Sequence, residues 1–209
     1  MLEIYFIRHG ESVGNWENRF RGRHDFPLNE NGLRQAEALK EELKSVSFEV
    51  IYSSPLSRAL KTAEIIACGK IPVRIHDGFT NISLGEWENT PKAQIQQQYP
   101  DLWQMWITEP EKLRFPGMET LAEVQRRSTH ALEQIIAEHR EGAIAIVTHR
   151  AVLKPLFAAM LNIPEPYFWK LHMDTAAYSI AVYRKERGFT FMKINENKHL
   201  AQFVVEDLG

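Results

Sequence analysis

Apolar and polar positions alternate along the chain in blocks that predict strands and helices in turn. Short apolar runs predict strands at residues 2–7, 50–52, 71–75, 143–147, 177–183 and 189–194. Apolar residues at helical spacing predict helices at residues 29–43, 56–67, 119–139 and 151–161. This alternation predicts an α/β fold, a three-layer sandwich in which helices cover both faces of a mainly parallel central sheet.

Three of the predicted strands have identifiable positions in that sheet. The run 143–147 is apolar throughout, which is typical of a strand buried at the centre. Pro72 removes a backbone donor from the run 71–75, which therefore predicts an edge strand. Arg187 and Gly188 separate the last two runs and predict a β-hairpin.

Residues 77–118 show neither the alternation of a strand nor the 3.6-residue period of a helix clearly, and we expect them to be largely irregular. They contain three of the five tryptophans, Trp87, Trp103 and Trp106. Clustered aromatic residues suit a segment that packs over a pocket. We therefore expect a single domain over residues 1–209, with a small cap region inserted at about 77–118.

Charge and composition limit which kinds of partner the protein can bind and in which cellular compartment it is expected. The 25 basic and 27 acidic residues give a formal net charge of -2, so no basic excess favours nucleic acid or a membrane surface. No apolar run is long enough to span a bilayer, and the apolar N-terminus is typical of a strand rather than a signal peptide. Cys68 is the only cysteine, which excludes an internal disulfide and predicts a cytoplasmic protein. No Cys or His cluster has metal-ligand spacing, so we expect no metal and no cofactor.

Polar side chains follow three of the predicted strands. Arg8 and His9 follow the first strand, His149 follows the run 143–147, and Arg58 lies in the first turn after the run 50–52. Because ligands bind beyond the carboxyl ends of parallel strands, we expect these side chains to share one crevice.

These residue types suit a phosphate group. The planar guanidinium of arginine matches phosphate oxygens, and helix N-termini after Ser54 and His149 would add N–H donors. A neutral imidazole among them could attack phosphorus, since phosphoryl transfer needs mainly positioning and charge stabilisation. The pattern therefore predicts a phosphoryl-transfer site.

Five sequence blocks carry a resemblance to a known family. In order they are Arg8-His9-Gly10-Glu11 with Asn15, Asp25-Phe26-Pro27-Leu28 with Gly32 and Gln35-Ala36, Ser53-Ser54-Pro55-Leu56-Ser57-Arg58-Ala59, Leu84-Gly85-Glu86-Trp87-Glu88, and Val147-Thr148-His149. Together they resemble the histidine phosphatase superfamily, the phosphoglycerate mutase-like proteins, over most of the chain. The segment 115–121, Phe168-Trp169, the segment 174–179, Asn195 and His199-Leu200 resemble α-ribazole phosphatases and metal-independent phosphoserine phosphatases.

The resemblance implies a role for each matching residue. His9 would be the phosphorylated nucleophile, and Asn15 would hydrogen-bond the phosphoryl group. Arg8, Arg58 and His149 would bind that group. The implied activity is metal-independent hydrolysis of a small phosphate ester through phosphohistidine. A cofactor-dependent phosphoglycerate mutase and a weakly active phosphate-ligand binding protein stay open as alternatives, and so does the choice between a monomer and a homodimer.

The chain departs from the family pattern at Asn81. The family usually has a glutamate there, as the general acid, and an amide cannot supply that proton. Three interpretations stay open. Glu86 or Glu11 could protonate the leaving oxygen instead; the substrate could have a leaving group that needs little protonation; or the protein could mainly bind phosphate compounds. We take Glu86 as the candidate catalytic carboxylate and Asn81 as a substrate-binding residue.

Two arginines stand where relatives carry other residues. Arg21 occupies a position where many have Gln, and Arg150 follows the histidine where a small residue is common. Either could reach a second anionic group on the substrate, and either could instead point to solvent.

Overall fold

The computed structural model describes residues 1–201, which contain eight strands and seven α-helices. The strands are β1 (Leu2–Arg8), β2 (Arg19–Phe20), β3 (Phe48–Ser53), β4 (Val73–Ile75), β5 (Thr90–Pro91), β6 (Gly142–Thr148), β7 (Tyr178–Arg184) and β8 (Gly188–Glu196). The helices are α1 (Val13–Trp16), α2 (Glu30–Glu42), α3 (Ser57–Ala67), α4 (Lys92–Gln98), α5 (Pro100–Thr108), α6 (Leu121–Glu138) and α7 (Arg150–Met160). Every strand and helix predicted from the apolar pattern is present, with ends shifted by no more than two residues.

Six strands form the central sheet in the order β4-β3-β6-β1-β7-β8. β4, β3, β6 and β1 pair in parallel, whereas β7 and β8 pair antiparallel. The predictions of a central strand at 143–147, an edge strand at 71–75 and a final hairpin are therefore confirmed. The mainly parallel α/β sheet is confirmed with them.

The two faces of the sheet bury separate apolar layers. Side chains alternate across β1, so that Ile4 and Phe6 pack towards α6 and α7. Tyr5 and Ile7 pack on the opposite face with apolar residues of α2 and α3. Each fully buried side chain of this size contributes about 2 kcal/mol. The three-layer arrangement follows, because both faces are apolar and each needs a covering layer.

The helices are amphipathic. α6 begins with a capping box, in which Thr120 accepts a hydrogen bond from the backbone N–H of Glu123 and the Glu123 carboxylate accepts one from the N–H of Thr120. It then buries Val124 and Leu132 on one face only. Within residues 1–201, no helix is both long enough and apolar enough to cross a membrane.

The segment 77–118 is more regular than its sequence predicts. It contains α4 and α5, and its strand β5 pairs with β2 as a separate two-stranded sheet. The expectation of a largely irregular segment is therefore wrong. The short, glutamine-rich helix α4 buries only Ile95 as an apolar anchor, so its sequence carries little helical periodicity. The fully buried Trp87 stacks on Phe115 at 4.5 Å and fixes the segment in the core.

The loop after β1 lies directly against the first turn of α2. Asn29 caps α2 by accepting a hydrogen bond from the N–H of Gly32. A side chain at Gly32 would overlap the backbone carbonyl of Glu11, and one at Gly10 would lie 2.6 Å from the Gly32 carbonyl oxygen. Two glycines therefore allow the loop that follows His9 to approach α2.

Candidate active site

Two histidine rings meet where β1 and β6 end. These strands pair in parallel up to Arg8 and Thr148, and the N–H of His9 donates to the Thr148 carbonyl at 3.0 Å. The ring centroids of His9 and His149 are 5.0 Å apart, and both rings are buried. The parallel pairing thus brings both predicted histidines to one crevice beyond the sheet.

The surroundings of His9 fix the position of its proton. Its Nδ1 lies 2.6 Å from the carbonyl oxygen of Gly10, an atom that can only accept a hydrogen bond. In the neutral ring the proton therefore sits on Nδ1, and Nε2 keeps its lone pair. Nε2 is the atom of this ring that can attack an electrophile.

Burial and nearby cations keep both imidazoles neutral. Burial is the main cause that lowers the pKa of His9 well below 6.5, and the charges of Arg58 and Arg8 add to it. The pKa of His149 is also lowered well below 6.5, first by burial and then by Arg58 and His9. Both rings are therefore uncharged at neutral pH.

His149 is held by the residue that follows β3. Its Nε2 lies 2.7 Å from the hydroxyl of Ser54, and that hydroxyl accepts a hydrogen bond from the N–H of Leu56 at 3.3 Å. When that hydroxyl donates to Nε2, the ring's own proton lies on Nδ1. The buried Nδ1 has no hydrogen-bond partner within residues 1–201, and in this tautomer it is a donor.

Arg8 and Arg58 are buried beside the histidines. Arg8 donates to the carbonyl of Met173 at 2.6 Å. Arg58 donates to the carbonyls of Gly22 and His24, both at 3.0 Å, which ties the segment around Gly22 to α3. Burial is the main cause that lowers the pKa of Arg58 to about 10, so its guanidinium stays charged at neutral pH. Both guanidinium groups therefore place positive charge next to the two neutral rings.

A pocket opens in front of the two rings, and the charged side chains that line it from residues 1–201 are all basic. Its lining comprises Arg8, His9, Arg19, Phe20, Arg21, Gly22, Asn81, Ile82, Leu84, Lys92, Trp106, His149, Arg150, Ala151 and Phe168. Within residues 1–201 no aspartate or glutamate lines it. No group of three or more potential metal ligands occurs in that part of the chain either. A pocket of this composition attracts anions.

The structure brings Arg21 and Arg150 to this pocket. Arg150 is only 7% exposed, so the alternative in which it points to solvent is wrong. Arg21 is partly buried, and its charge lowers the pKa of both histidines.

Lys92 also lines the pocket and was missed by the sequence analysis. It is 7% exposed and begins α4, in the segment expected to be irregular. Lys92 lies between Pro91 and Ala93 and belongs to no recognisable motif. Its position at the pocket is therefore apparent only from the folded structure.

Three predicted residues are not among those that line the pocket: Arg58, which is buried beside the histidines, Glu86 and Asn15. Glu86 is exposed and is not among the lining residues, so the structure does not bring it to the histidines. It belongs to a short 3₁₀ turn, Gly85–Trp87, in which Trp87 takes the buried side. Asn15 is buried, but its amide oxygen accepts hydrogen bonds from the N–H and the hydroxyl of Ser12, where it closes the cap of α1.

Glu11 is equally unsuited to act as an acid. Its two carboxylate oxygens accept hydrogen bonds from the side-chain amides of Asn29 at 2.5 Å and Asn31 at 2.9 Å. These bonds tie the loop after β1 to α2 and leave Glu11 buried away from the pocket lining. Asn81, in contrast, does line the pocket.

Comparisons with known proteins agree with this fold. Residues 4–197 match the family model of the histidine phosphatase superfamily (branch 1). Phosphoserine phosphatase 1 of Hydrogenobacter thermophilus is 33% identical over 99% of this chain and 98% of its own length. The structure of YhfR from Bacillus stearothermophilus superposes with a TM-score of 0.91 at 32% identity and covers 96% of this chain and 100% of its own. The α-ribazole phosphatase of Shigella flexneri shares the fold, with a TM-score of 0.84 at 24% identity over 93% of this chain and 96% of its own.

The chain belongs to the histidine phosphatase superfamily, branch 1. It is a hydrolase, a phosphomonoesterase for a small phosphorylated metabolite. The mutase alternative and the weakly active binding protein are not favoured by these relatives.

Proposed function

We propose that this phosphomonoesterase works through a phosphohistidine at His9 and needs no metal ion. The observation that carries the proposal is the pair of neutral, buried rings with centroids 5.0 Å apart, flanked by the guanidinium groups of Arg8 and Arg58. A neutral nucleophile beside fixed positive charge suits a phosphate dianion.

The reaction proceeds in two transfers. Nε2 of His9 attacks phosphorus while Arg8 and Arg58 balance the charge of the phosphoryl oxygens. The Nδ1–H of His149 donates to one of those oxygens, and Nδ1–H of His9 keeps its bond to Gly10 as positive charge develops on the ring. Water then hydrolyses the phosphohistidine and releases inorganic phosphate.

Trapping the phosphorylated protein tests this proposal. We expect ³²P-labelled substrate, quenched in alkali within one turnover, to leave label on His9, because the nitrogen–phosphorus bond survives alkali and breaks in acid. Phosphate release from p-nitrophenyl phosphate should be unchanged by EDTA. An activity that EDTA abolishes, or label found on another residue, would contradict the proposal.

The pH dependence should follow the neutral form of His9. Because burial lowers its pKa well below 6.5, the ring stays unprotonated from pH 8 down to about 6.5. We expect the single-turnover rate of phosphohistidine formation to be constant over that range and to fall only in more acid solution, as pH passes through the lowered pKa. Rapid-quench rates on phenyl phosphate would measure this. A decline that begins above pH 7 would show that another group controls the step.

We also propose that the substrate carries a second acidic group. Arg21, Lys92 and Arg150 all line the pocket, in addition to the arginines assigned to the phosphoryl group. One dianion does not need so many cations, whereas a carboxylate or a second phosphate beside it would pair with them. A phosphorylated acid therefore fits the pocket better than a neutral phosphate ester.

Carboxyphenyl phosphates, compared with phenyl phosphate, isolate the contribution of this second group. We expect Lys92→Met to lower kcat/KM about tenfold for at least one of the ortho, meta or para carboxyphenyl esters, because a charged hydrogen bond contributes about 1.5 kcal/mol or more. Phenyl phosphate should be almost unaffected. Lys61→Met, at an exposed site on α3, serves as the matched control. Equal losses on every ester would argue that Lys92 has no role in binding the second group.

We propose a cytoplasmic location from the single cysteine, Cys68, which is exposed and suits a reducing compartment. Sedimentation equilibrium would decide between a monomer and the homodimer that we propose as an alternative assembly.

A further inference from the structure

Resting on the phosphohistidine chemistry proposed above, we infer that the substrate has a leaving group that departs as a stable anion. The protein would then hydrolyse acyl phosphates and enol or aryl phosphates much faster than phosphate esters of simple alcohols. The inference stands on the pocket lining, which combines five basic side chains with no carboxylic acid within residues 1–201.

Asn81 lines the pocket and stands where the family pattern usually has a glutamate. Its Nδ2 donates to the carbonyl of Gly22 at 2.8 Å, and its buried Oδ1 has no hydrogen-bond partner within residues 1–201. Gly22 itself lines the pocket and is held by Arg58. Asn81 is therefore fixed at the pocket wall as an amide, which can hydrogen-bond a leaving oxygen but cannot transfer a proton to it.

Two carboxylates close to Arg58 are already engaged elsewhere. Glu88 lies next to Gly22, accepts a hydrogen bond from the N–H of Leu84 at 2.9 Å and helps Arg58 to keep its proton. Asp25 accepts hydrogen bonds from the N–H and the hydroxyl of Ser57. Neither residue lines the pocket, so neither offers a proton to a bound ester.

Cationic side chains of the pocket can stabilise the leaving oxygen in place of a transferred proton. When the bond to the leaving oxygen breaks, negative charge develops on that oxygen. Arg21 and Arg150 stabilise this charge by electrostatics, without giving up a proton. Such stabilisation suffices for a carboxylate, whose conjugate acid has a pKa of about 4, and helps a phenolate, at about 10. It is insufficient for an alkoxide, because an alcohol is a far weaker acid than a phenol.

The proposed step balances without a proton donor. The lone pair of His9 Nε2 forms a bond to phosphorus, the bond from phosphorus to the bridging oxygen breaks, and its electron pair leaves on that oxygen. An acyl phosphate thus releases a carboxylate directly. The oxygen of water then bonds to phosphorus, both of its hydrogens leave on dihydrogen phosphate, and the electron pair of the nitrogen–phosphorus bond returns to Nε2.

The wild-type protein provides the first test. Phenyl phosphate and cyclohexyl phosphate have similar shape and charge but differ in the acidity of the leaving alcohol. We expect kcat/KM, which reports formation of the phosphohistidine, to be at least about 10³-fold lower for cyclohexyl phosphate, and acetyl phosphate to be faster than both. Values for phenyl and cyclohexyl phosphate within tenfold of each other, with label trapped on His9, would overturn the inference and leave the proposed function standing. Label from none of the esters would overturn both.

Asn81→Glu and Asn81→Gln form a matched pair of the same length. The glutamate variant gains a transferable proton, so we expect it to raise the ratio of kcat/KM for cyclohexyl phosphate to kcat/KM for acetyl phosphate about 10²-fold. The glutamine variant should gain nothing. Equal gains in both variants would overturn the inference, because shape rather than proton transfer would explain them. If the wild-type protein already hydrolyses the alkyl ester well and Lys92→Met removes that activity, Lys92 is the donor and the inference fails.

Discussion

His9→Ala is expected to lower kcat/KM for p-nitrophenyl phosphate by about 10⁴-fold or more. The substitution removes Nε2 of His9, the ring nitrogen that keeps its lone pair because Nδ1 donates to the Gly10 carbonyl. The neighbouring His149 cannot replace it, because its Nε2 is held by Ser54. Measurement of initial rates with purified variant and wild-type protein checks the result.

A matched control separates chemistry from folding. His130→Ala changes an exposed histidine on α6 and should leave both activity and thermal stability unchanged. Binding of inorganic phosphate to His9→Ala, measured by calorimetry, should persist because Arg8, Arg58 and His149 remain. A variant that retains wild-type turnover would show that His9 is not the nucleophile.

Gly32→Ala is expected to destabilise the protein by about 3 kcal/mol and to reduce its activity as well. The new Cβ would overlap the backbone carbonyl of Glu11, and a backbone atom cannot move aside as a side chain can. The loop that follows His9 must therefore shift away from α2. Urea unfolding followed by circular dichroism measures the loss, and phosphohistidine formation measures the effect on His9.

Arg34→Ala on the same helix is the control for that experiment. Arg34 is largely exposed and its pairing with Glu30 at 3.9 Å is weak, so the change should stay within about 0.5 kcal/mol. If Gly32→Ala unfolded at the same urea concentration as Arg34→Ala, the close approach between the loop and α2 would not be a structural requirement.

Sequence patterns predicted the parts of the molecule that depend on local order. The strands β1 and β6 are mainly apolar, and each is followed at once by a histidine. Parallel pairing of such strands leaves little freedom in where those histidines go, so the crevice holding His9 and His149 follows from the sequence. Arg58 could be predicted for the same reason, as a residue of the first turn after β3.

Residues whose positions depend on long-range packing could not be predicted. Lys92 reaches the pocket because α4 follows β5, which pairs with the distant strand β2. Glu11 lies beside His9 in sequence, yet Asn29 and Asn31 hold it on the far side of the loop. Neither arrangement produces a periodic pattern in the local sequence, because hydrogen bonds between distant segments determine where these residues lie.

The two uncharged imidazoles buried among cations also link the folded state to acidity. In an unfolded chain these histidines bind protons as the pH falls below about 6.5. In the folded protein they bind protons only at a lower pH, because their pKa values are lowered. Acidification through that interval therefore draws the equilibrium towards the unfolded chain, and the stability lost is regained when the solution is neutralised. The same arrangement that keeps His9 ready as a nucleophile makes the protein less stable in acid than in neutral solution.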